Sequence, residues 1–326
     1  MINILKYEMT AMRKLLFILF ILALSSTTYA VSPAPTKITH VIYITLDGVR
    51  WQDVFEREGA FKNFWRKYAA NAEIYGEPGT NRTMEAASVP ISLPSYQTQM
   101  TGKVTDCTVN ECGGLTMETF PEKLIKTLGL KKSDVASISS WEVTDNAFEM
   151  RPGTAFSNHG TRPMHDPDTY EIDPVMKKLN IAQTAAYPGD DTRLDKYTLA
   201  QALHYYKKFK PRFLWISFGD ADDFAHDGKK FFYRQTLSFY DRAIEKIIKT
   251  VKTLNLQGET MIIITTDHGR GNGKNWLEHD ENMPESKQTW AFVINGKLEN
   301  GVRNGNFYHY TTLNIRPTIE KAFGIF

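Results

Sequence analysis

Short apolar runs rich in β-branched residues alternate along this chain with longer segments in which apolar residues recur every three or four positions. The short runs are typical of strands buried on both faces, and the longer segments are typical of helices that cover a sheet. The runs that predict strands are His40–Leu46, Val135–Ser139, Phe213–Phe218, the apolar part of 261–269, and 290–294. The segments that predict helices are 51–72, 94–100, 116–129, 196–209, 232–254 and 312–323, the last of which begins around Pro317. This alternation predicts an α/β fold with a mostly parallel central sheet and helices on both faces.

The segment 149–189 interrupts the alternation. It is rich in Pro, Gly, His and Asp and shows no period of apolar residues, which predicts irregular loops or a small insert rather than a linker. The 326 residues suffice for one large domain or two small ones. We expect a single domain over 31–326, in which part of 103–192 forms an inserted loop or cap region.

The N-terminus has the pattern of a secretion signal. Arg13 and Lys14 precede the apolar run 15–24, and small residues up to Ala30 follow it. A membrane anchor is the alternative, but the run is too short to span a bilayer comfortably. We therefore expect residues 1–30 to be a signal peptide, the mature protein to be periplasmic or secreted, and no stable membrane anchor to remain.

The net charge and the cysteine content indicate which ligands and cross-links to expect. The formal net charge is +2, so no strongly basic surface for nucleic acid is expected. Cys107 and Cys112 are the only two cysteines. In an exported protein such a close pair predicts a disulfide, whereas a structural zinc site would usually need a second pair. The sequence leaves the oligomeric state open.

Acidic residues, in two cases with a histidine nearby, follow three of the predicted strands: Asp47, then Asp222 with His226, then Asp267 with His268. A single Asp in such a place is most simply a cap on a loop or helix. If the three strands are parallel neighbours, however, their side chains converge on the crevice where open α/β sheets bind ligands. Carboxylates and imidazoles together predict a site for divalent metal ions, and one more histidine would complete ligands for two.

Two histidines compete for that last place. His279 follows the loop after Asp267, in Trp-Leu-Glu-His, and is the first candidate. His309, in Tyr-His-Tyr, is the rival, although it could equally belong to a packed aromatic surface.

A hydroxyl nucleophile is available at Ser92. Pro94 favours a helix start here, which would leave free backbone N–H groups beside Ser92, suited to an anion. A metal ion could also ionise the hydroxyl. A plain N-cap serine is the simpler explanation from local sequence, and Ser95, Thr98 and Thr101 offer the same chemistry.

Five blocks of sequence resemble, in this order, the alkaline phosphatase superfamily, and most of all its nucleotide pyrophosphatase/phosphodiesterase branch. The blocks are Asp47-Gly-Val-Arg, Ser92-Leu-Pro-Ser-Tyr-Gln-Thr-Gln-Met-Thr-Gly, Asp222-Asp-Phe-Ala-His226, Asp267-His268-Gly and Trp-Leu-Glu-His279. Asp-His-Gly alone is a weak signal, whereas five ordered blocks at strand ends are specific. The resemblance extends over most of the mature chain and implies an alkaline-phosphatase-like fold and a hydrolase acting on small phosphoric esters.

The resemblance also implies a role for each residue. One zinc ion would be bound by Asp222, His226 and His279. A second would be bound by Asp47, Asp267 and His268. Ser92 would bridge the two ions as the nucleophile and form a phosphoryl-enzyme intermediate that water then hydrolyses.

The sequence departs from the branch in ways that bear on the substrate. Ser95 stands where the branch usually has Asn, and no Pro precedes Asp222. The signature Cys-x-Pro-x-Arg is absent, which argues against a formylglycine sulfatase. A phosphodiesterase is the leading interpretation. The alternatives are a phosphomonoesterase, a phosphonate- or sulfate-ester hydrolase on the same centre, and a catalytically silent binding protein.

Overall fold

Ten strands occur in the residues that the computed structural model describes, 37–186 and 191–325. Their bounds are β1 His40–Leu46, β2 Ala72–Tyr75, β3 Arg82–Glu85, β4 Val135–Ser139, β5 Phe156–His159, β6 Phe213–Phe218, β7 Thr260–Thr265, β8 Ala291–Ile294, β9 Val302–Asn304 and β10 Phe307–Thr311. Seven of them form one sheet in the order β2-β8-β7-β1-β6-β4-β5, and three form a small sheet in the order β3-β10-β9. The predicted signal peptide, residues 1–30, lies outside the described residues.

The large sheet is mostly parallel, as predicted. β1 pairs in parallel with β6 and β7, and β4 pairs in parallel with β6 and β5. Only β8 runs in the opposite direction among these seven strands, because it is antiparallel to both β7 and β2. The three strands that end in acidic residues, β7, β1 and β6, are adjacent at the centre of the sheet.

The helices of the described residues are α1 Trp51–Val54, α2 Lys62–Lys67, α3 Ser92–Thr101, α4 Phe120–Leu128, α5 Asp145–Phe148, α6 Pro174–Ala186, α7 Asp195–Phe209, α8 Asp220–His226, α9 Lys230–Thr253 and α10 Ile315–Phe323. Short 3₁₀ turns cover Ala69–Asn71, Lys132–Asp134, Glu142–Thr144, Gly273–Leu277, Pro284–Lys287 and Thr312–Asn314. Within this described part, no helix has both the length and the apolar character needed to cross a membrane.

Both faces of the large sheet are buried, which explains why its central strands are apolar at almost every position. On one face, Ile44 of β1 lies in a hydrophobic cluster with Leu203 of α7 and Ile244 of α9. On the other, Tyr43 lies in a second cluster with residues of α3 and α10, such as Ile319. The predicted arrangement of helices on both faces is confirmed.

The segment 149–189 is more regular than the prediction of loops. β5 extends the large sheet by pairing with β4, and α6 begins at Pro174, where Asp173 accepts hydrogen bonds from the N–H groups of Val175 and Met176, both at 2.9 Å. β5 is only four residues long and carries polar Ser and Asn, so it lacks the apolar run by which the other strands are recognised. The prediction of irregular structure is therefore wrong for β5 and α6.

The helical spacing over 51–72 does not correspond to one helix. A turn at Gly59, whose N–H donates to the carbonyl of Glu56 at 2.8 Å, separates α1 from α2. Asp241 of α9 then caps α2, because its carboxylate accepts from the N–H groups of Asn63 and Phe64 at 3.0 and 2.8 Å. The segment ends in the 3₁₀ turn Ala69–Asn71 and in β2.

Candidate active site

The ends of β6, β1 and β7 meet at one edge of the sheet. Leu46 is paired with Phe218, and Thr45 is paired with Thr265, so the residues that follow these strands are brought together. A cavity of about 440 Å³ opens here and is lined by Asp47, Ser92, Asp222 and His226, among others. The convergence predicted from the three acidic strand ends is present.

Asp222, His226 and His279 form the first cluster in this crevice. His226 Nε2 lies 3.1 Å from an oxygen of Asp222 and 3.1 Å from Nε2 of His279. Nδ1–H of His279 donates to the carbonyl of Pro90 at 2.8 Å, which leaves its Nε2 with a lone pair directed at His226. Two facing imidazole nitrogens at this distance attract each other only if a proton or a metal cation lies between them.

Asp47, Ser92 and His268 form the second cluster. The Ser92 hydroxyl lies 3.3 Å from Oδ1 of Asp47 and 3.1 Å from Nε2 of His268. Nδ1–H of His268 donates to the carbonyl of Gly269 at 2.9 Å, so its Nε2 lone pair also faces the crevice. Ligand atoms of Asp47, Asp222 and His268 all lie within 4.8 Å of one another, so Asp222 stands between the two clusters.

Asp267 lies beside the second cluster and is fully buried. Its Oδ1 accepts from the N–H of Gly48 at 3.1 Å. Its Oδ2 lies 3.2 Å from Nε2 of His268 and accepts no hydrogen bond from any residue that the structure describes. A buried carboxylate oxygen costs free energy unless a hydrogen-bond donor or a cation lies next to it. A divalent metal ion fits here, because the surrounding groups are carboxylates and imidazoles.

The pKa shifts of the ionisable groups in the crevice also favour a bound metal ion. Burial raises the pKa of Asp267 to about 6 and that of Asp47 well above its ordinary value. Burial lowers the pKa of His268 and of His279 to about 4. Neutral imidazoles are the form that binds metal, and crowded buried carboxylates are stabilised as anions by a bound cation.

Sequence reasoning missed Arg270, whose buried guanidinium contacts Asp222. Its Nη1 donates to Oδ1 of Asp222, and its Nε donates to the carbonyl of Trp276 at 2.9 Å. Burial alone would raise the pKa of Asp222, but Arg270 and His226 hold it well below the ordinary value. Arg270 thus ties the loop that leads to His279 to the first cluster.

Two further residues near Ser92 were also missed. Tyr96 donates its hydroxyl to Oδ2 of Asp47 at 2.9 Å. Asn110 lines the cavity, and its Oδ1 accepts from the N–H of Leu93 at 3.0 Å. Asn110 lies inside the loop closed by the predicted Cys107–Cys112 disulfide, which is present.

The hydroxyls that compete with Ser92 all donate to backbone carbonyls. Ser95 donates to the carbonyl of Asp267 at 2.7 Å, Thr98 to that of Pro94 at 2.8 Å, and Thr101 to that of Gln97 at 2.7 Å. Ser92 is the first residue of the helix, which starts two residues before the predicted 94–100, and it is the one among these four that lines the cavity.

His279 rather than His309 is brought to the crevice. His309 lies on β10 of the small sheet, where its Nδ1 is 3.1 Å from the hydroxyl of Thr83. It lines a different cavity, of about 700 Å³, against Arg316 of α10.

Solved structures with low sequence identity share this fold. The phosphonate monoester hydrolase of Agrobacterium radiobacter is 12% identical with a TM-score of 0.58, and the alignment covers 88% of this chain and 74% of that one. The C-terminal periplasmic domain of EcEptC from Escherichia coli, in complex with Zn, is 10% identical with a TM-score of 0.55, over 88% of this chain and 83% of that one. The lipoteichoic acid synthase LtaP from Listeria monocytogenes is 10% identical with a TM-score of 0.55, over 89% and 73%. The fold is therefore alkaline-phosphatase-like, as predicted.

Sequence comparison identifies the family. No curated protein matches the chain. A family model described as type I phosphodiesterase / nucleotide pyrophosphatase matches residues 121–319, which include the Asp222 cluster and Asp267 but not Asp47 or Ser92. Because this match spans more than half of the chain, the protein belongs to the type I phosphodiesterase / nucleotide pyrophosphatase family, whose members are hydrolases.

Proposed function

We propose that this protein is an exported, metal-dependent phosphodiesterase that uses Ser92 as its nucleophile. The observation that carries the proposal is the position of the Ser92 hydroxyl between Asp47 and His268, at 3.3 and 3.1 Å. It also stands at the N-terminus of a ten-residue helix, where an anion is stabilised. The signal pattern over 1–30 and the disulfide support export.

The two clusters supply ligands for two divalent ions, and the mixture of carboxylate and imidazole favours zinc. The first ion would be held by Asp222, His226 and His279. The second would be held by Asp47, Asp267 and His268, two of which lie beside the Ser92 hydroxyl. When bound, such ions neutralise charge on the phosphoryl oxygens and lower the pKa of a coordinated hydroxyl.

In the proposed reaction Ser92 Oγ attacks the phosphorus atom. The Oγ–P bond forms as the Oγ proton is released to solvent and the bond from phosphorus to the leaving-group oxygen breaks, and that oxygen takes up a proton from solvent. Water then hydrolyses the phosphoryl ester on Ser92 and restores the hydroxyl. Asn110, oriented through its Oδ1 by the N–H of Leu93, can donate its amide N–H to a non-bridging phosphoryl oxygen.

The lining of the cavity favours a diester over a monoester. Among its described residues there is no Lys or Arg, and Trp141 and the carboxylates of Asp191, Asp223 and Asp227 line it with the two clusters. A monoester dianion would lack a cationic side chain for its second charge, whereas a diester carries a single charge. The family match favours a diester independently.

A substrate panel on the purified mature protein tests this proposal. We expect bis(p-nitrophenyl) phosphate to be hydrolysed with higher kcat/KM than p-nitrophenyl phosphate, p-nitrophenyl sulfate or a p-nitrophenyl phosphonate ester. Ser92→Ala should lower kcat by about 10⁴-fold or more, because it removes the nucleophile. Elemental analysis should still find about two metal equivalents, since the protein ligands remain.

Thr98→Val is the matched control, because it removes a hydroxyl of the same helix that donates to a carbonyl within that helix. It should keep most of the activity. Near-normal turnover by Ser92→Ala would exclude the covalent mechanism. A metal-loaded protein that hydrolyses none of these esters would favour the binding-protein alternative.

A further inference from the structure

Asp195 is a fully buried carboxylate outside the cavity, and it organises the helix that carries Asp222 and His226. It is the first residue of α7. Its oxygens accept from the hydroxyl of Tyr240 at 2.6 Å and from that of Ser140. They also accept from the N–H groups of Gly219 and Asp220, both at 2.9 Å.

These backbone donors belong to the N-terminus of α8. The first N–H groups of a helix have no partner within the helix and need one from outside. Gly219, the residue that precedes α8, has no side chain that could accept these hydrogen bonds. Asp195, which belongs to another helix, accepts them instead. In return, Asp220 accepts from the N–H of Asp195 at 3.2 Å, so that each helix caps the other.

The third N–H group of this turn is linked to the Asp195 carboxylate through a tyrosine hydroxyl. Ala221 N–H donates to the hydroxyl of Tyr240 at 3.1 Å, and that hydroxyl donates to Asp195. Three consecutive backbone groups, from Gly219 to Ala221, are thus attached directly or through one hydroxyl to Asp195. The next residue along the chain is Asp222.

The chemistry of this position favours a positioning role over a purely stabilising one. No Lys, Arg or His of the described residues forms an ion pair with Asp195, although a buried carboxylate costs free energy that an apolar side chain of similar size would not. What the carboxylate alone provides is acceptors for two N–H groups and two hydroxyls at once. A metal site needs this, because α8 is only seven residues long and must present Asp222 and His226 towards His279.

We propose that Asp195 is a positioning residue for the metal centre, because it fixes the first turn of α8 and thereby the spacing of Asp222 and His226. The inference rests on the proposed metal-dependent function. Partners of this kind, one step removed from the ligands, typically change metal affinity by about 10- to 100-fold when they are altered.

The test compares Asp195→Asn with Asp241→Asn in the full mature chain, using cobalt(II) as the probe. Asp241 is the matched control, because it is also buried and caps a helix through two backbone N–H groups, but that helix is α2. We expect Asp195→Asn to weaken the binding of one of two cobalt ions by at least about tenfold and to change the visible absorption of the bound cobalt. Asp241→Asn should lower the melting temperature without either effect.

Tyr240→Phe provides a second variant if Asp195→Asn does not fold. It removes the hydroxyl that joins Ala221 to Asp195, and it should weaken cobalt binding in the same direction but less. Unchanged cobalt affinity and absorption in the folded variant, with two ions bound by the unaltered protein, would overturn the role of Asp195 and leave the proposed function intact. Failure of the unaltered protein to bind cobalt would overturn both.

Discussion

Gly48, which follows Asp47, shows how closely the crevice is packed at the level of single residues. Its φ of +59° lies in the left-handed region, and its N–H donates to Asp267. A Cβ atom at this position would lie 2.2 Å from Oδ1 of Asp222 and 2.7 Å from Nη1 of Arg270. A side chain here would therefore have to displace Asp222 from its place between the two clusters.

We expect Gly48→Ala to lose bound metal and most of the hydrolytic activity. Gly79→Ala is the matched control, since Gly79 has a φ of +76° and a Cβ atom added there would have no neighbouring atom within 4 Å. Both changes should cost about 1 kcal/mol of stability from backbone strain. Elemental analysis after gel filtration, together with thermal melting, separates the two effects. Equal metal content in the two variants would contradict the crowding argument.

Several of the residues that could be predicted from sequence directly follow apolar runs. Asp47, Asp267 and His268 are placed by the strands before them, so recognition of the strands sufficed. Arg270 could not be predicted in the same way, because a charged residue in a loop is usually solvated. Its burial depends on carbonyls of Trp276 and Leu277, which reach it only through the tertiary fold.

At the level of elements, strands whose own sequence is an apolar run were predicted, and strands without such a run were not. β1, β4 and β6 have the predicted bounds, because each is buried on both faces. β5 is defined by its pairing with β4 at the edge of the sheet. The start of α6 did carry a local signal, since Asp173-Pro174 combines a capping residue with Pro at the first helical position, but the surrounding Pro and Gly content obscured it.

Asp173→Ala should destabilise the protein by about 1 kcal/mol at pH 7, because α6 loses its cap. Burial alone would raise the pKa of Asp173, but the N–H of Met176, together with His204 and Lys208, holds it below the ordinary value. A carboxylate with a lowered folded-state pKa contributes stability above its unfolded pKa of about 3.9, and the contribution is lost as the pH falls through the folded value.

Denaturant unfolding at pH 7 and at successively lower pH measures this contribution. The difference between the unaltered protein and Asp173→Ala should shrink below about pH 4. Asp168→Ala, at an exposed position of the same segment, should change stability little at any pH. A constant difference across the pH range would mean that the carboxylate charge is not involved.

At the scale of the whole molecule, the crevice concentrates negative charge. Asp47, Asp222 and Asp267 are crowded beyond the ends of the central strands, and the guanidinium of Arg270 contacts Asp222. Cations bound to the folded state but not to the unfolded chain stabilise the fold by mass action.

Removal of metal by a chelator should therefore lower the melting temperature, and readdition of zinc should restore it. Ser92→Ala should show nearly the same shift, because its carboxylates and histidines are intact. Calorimetric scans with and without chelator make the comparison. A melting temperature that is insensitive to the chelator, in protein shown to have contained metal, would place the ions outside this charged centre.

The order of strands in the large sheet has a consequence for how the chain folds. β1 lies near the start of the chain, but it pairs with β6 and β7, which lie much later. The hydrogen bond from Gly48 to Asp267 joins residues 219 positions apart. Contacts of such long range form slowly, because loop closure must precede them. If the N-terminal part of the chain becomes available to fold first, the active centre cannot assemble until nearly the whole chain is available. Hydrolysis would then begin only at the end of folding.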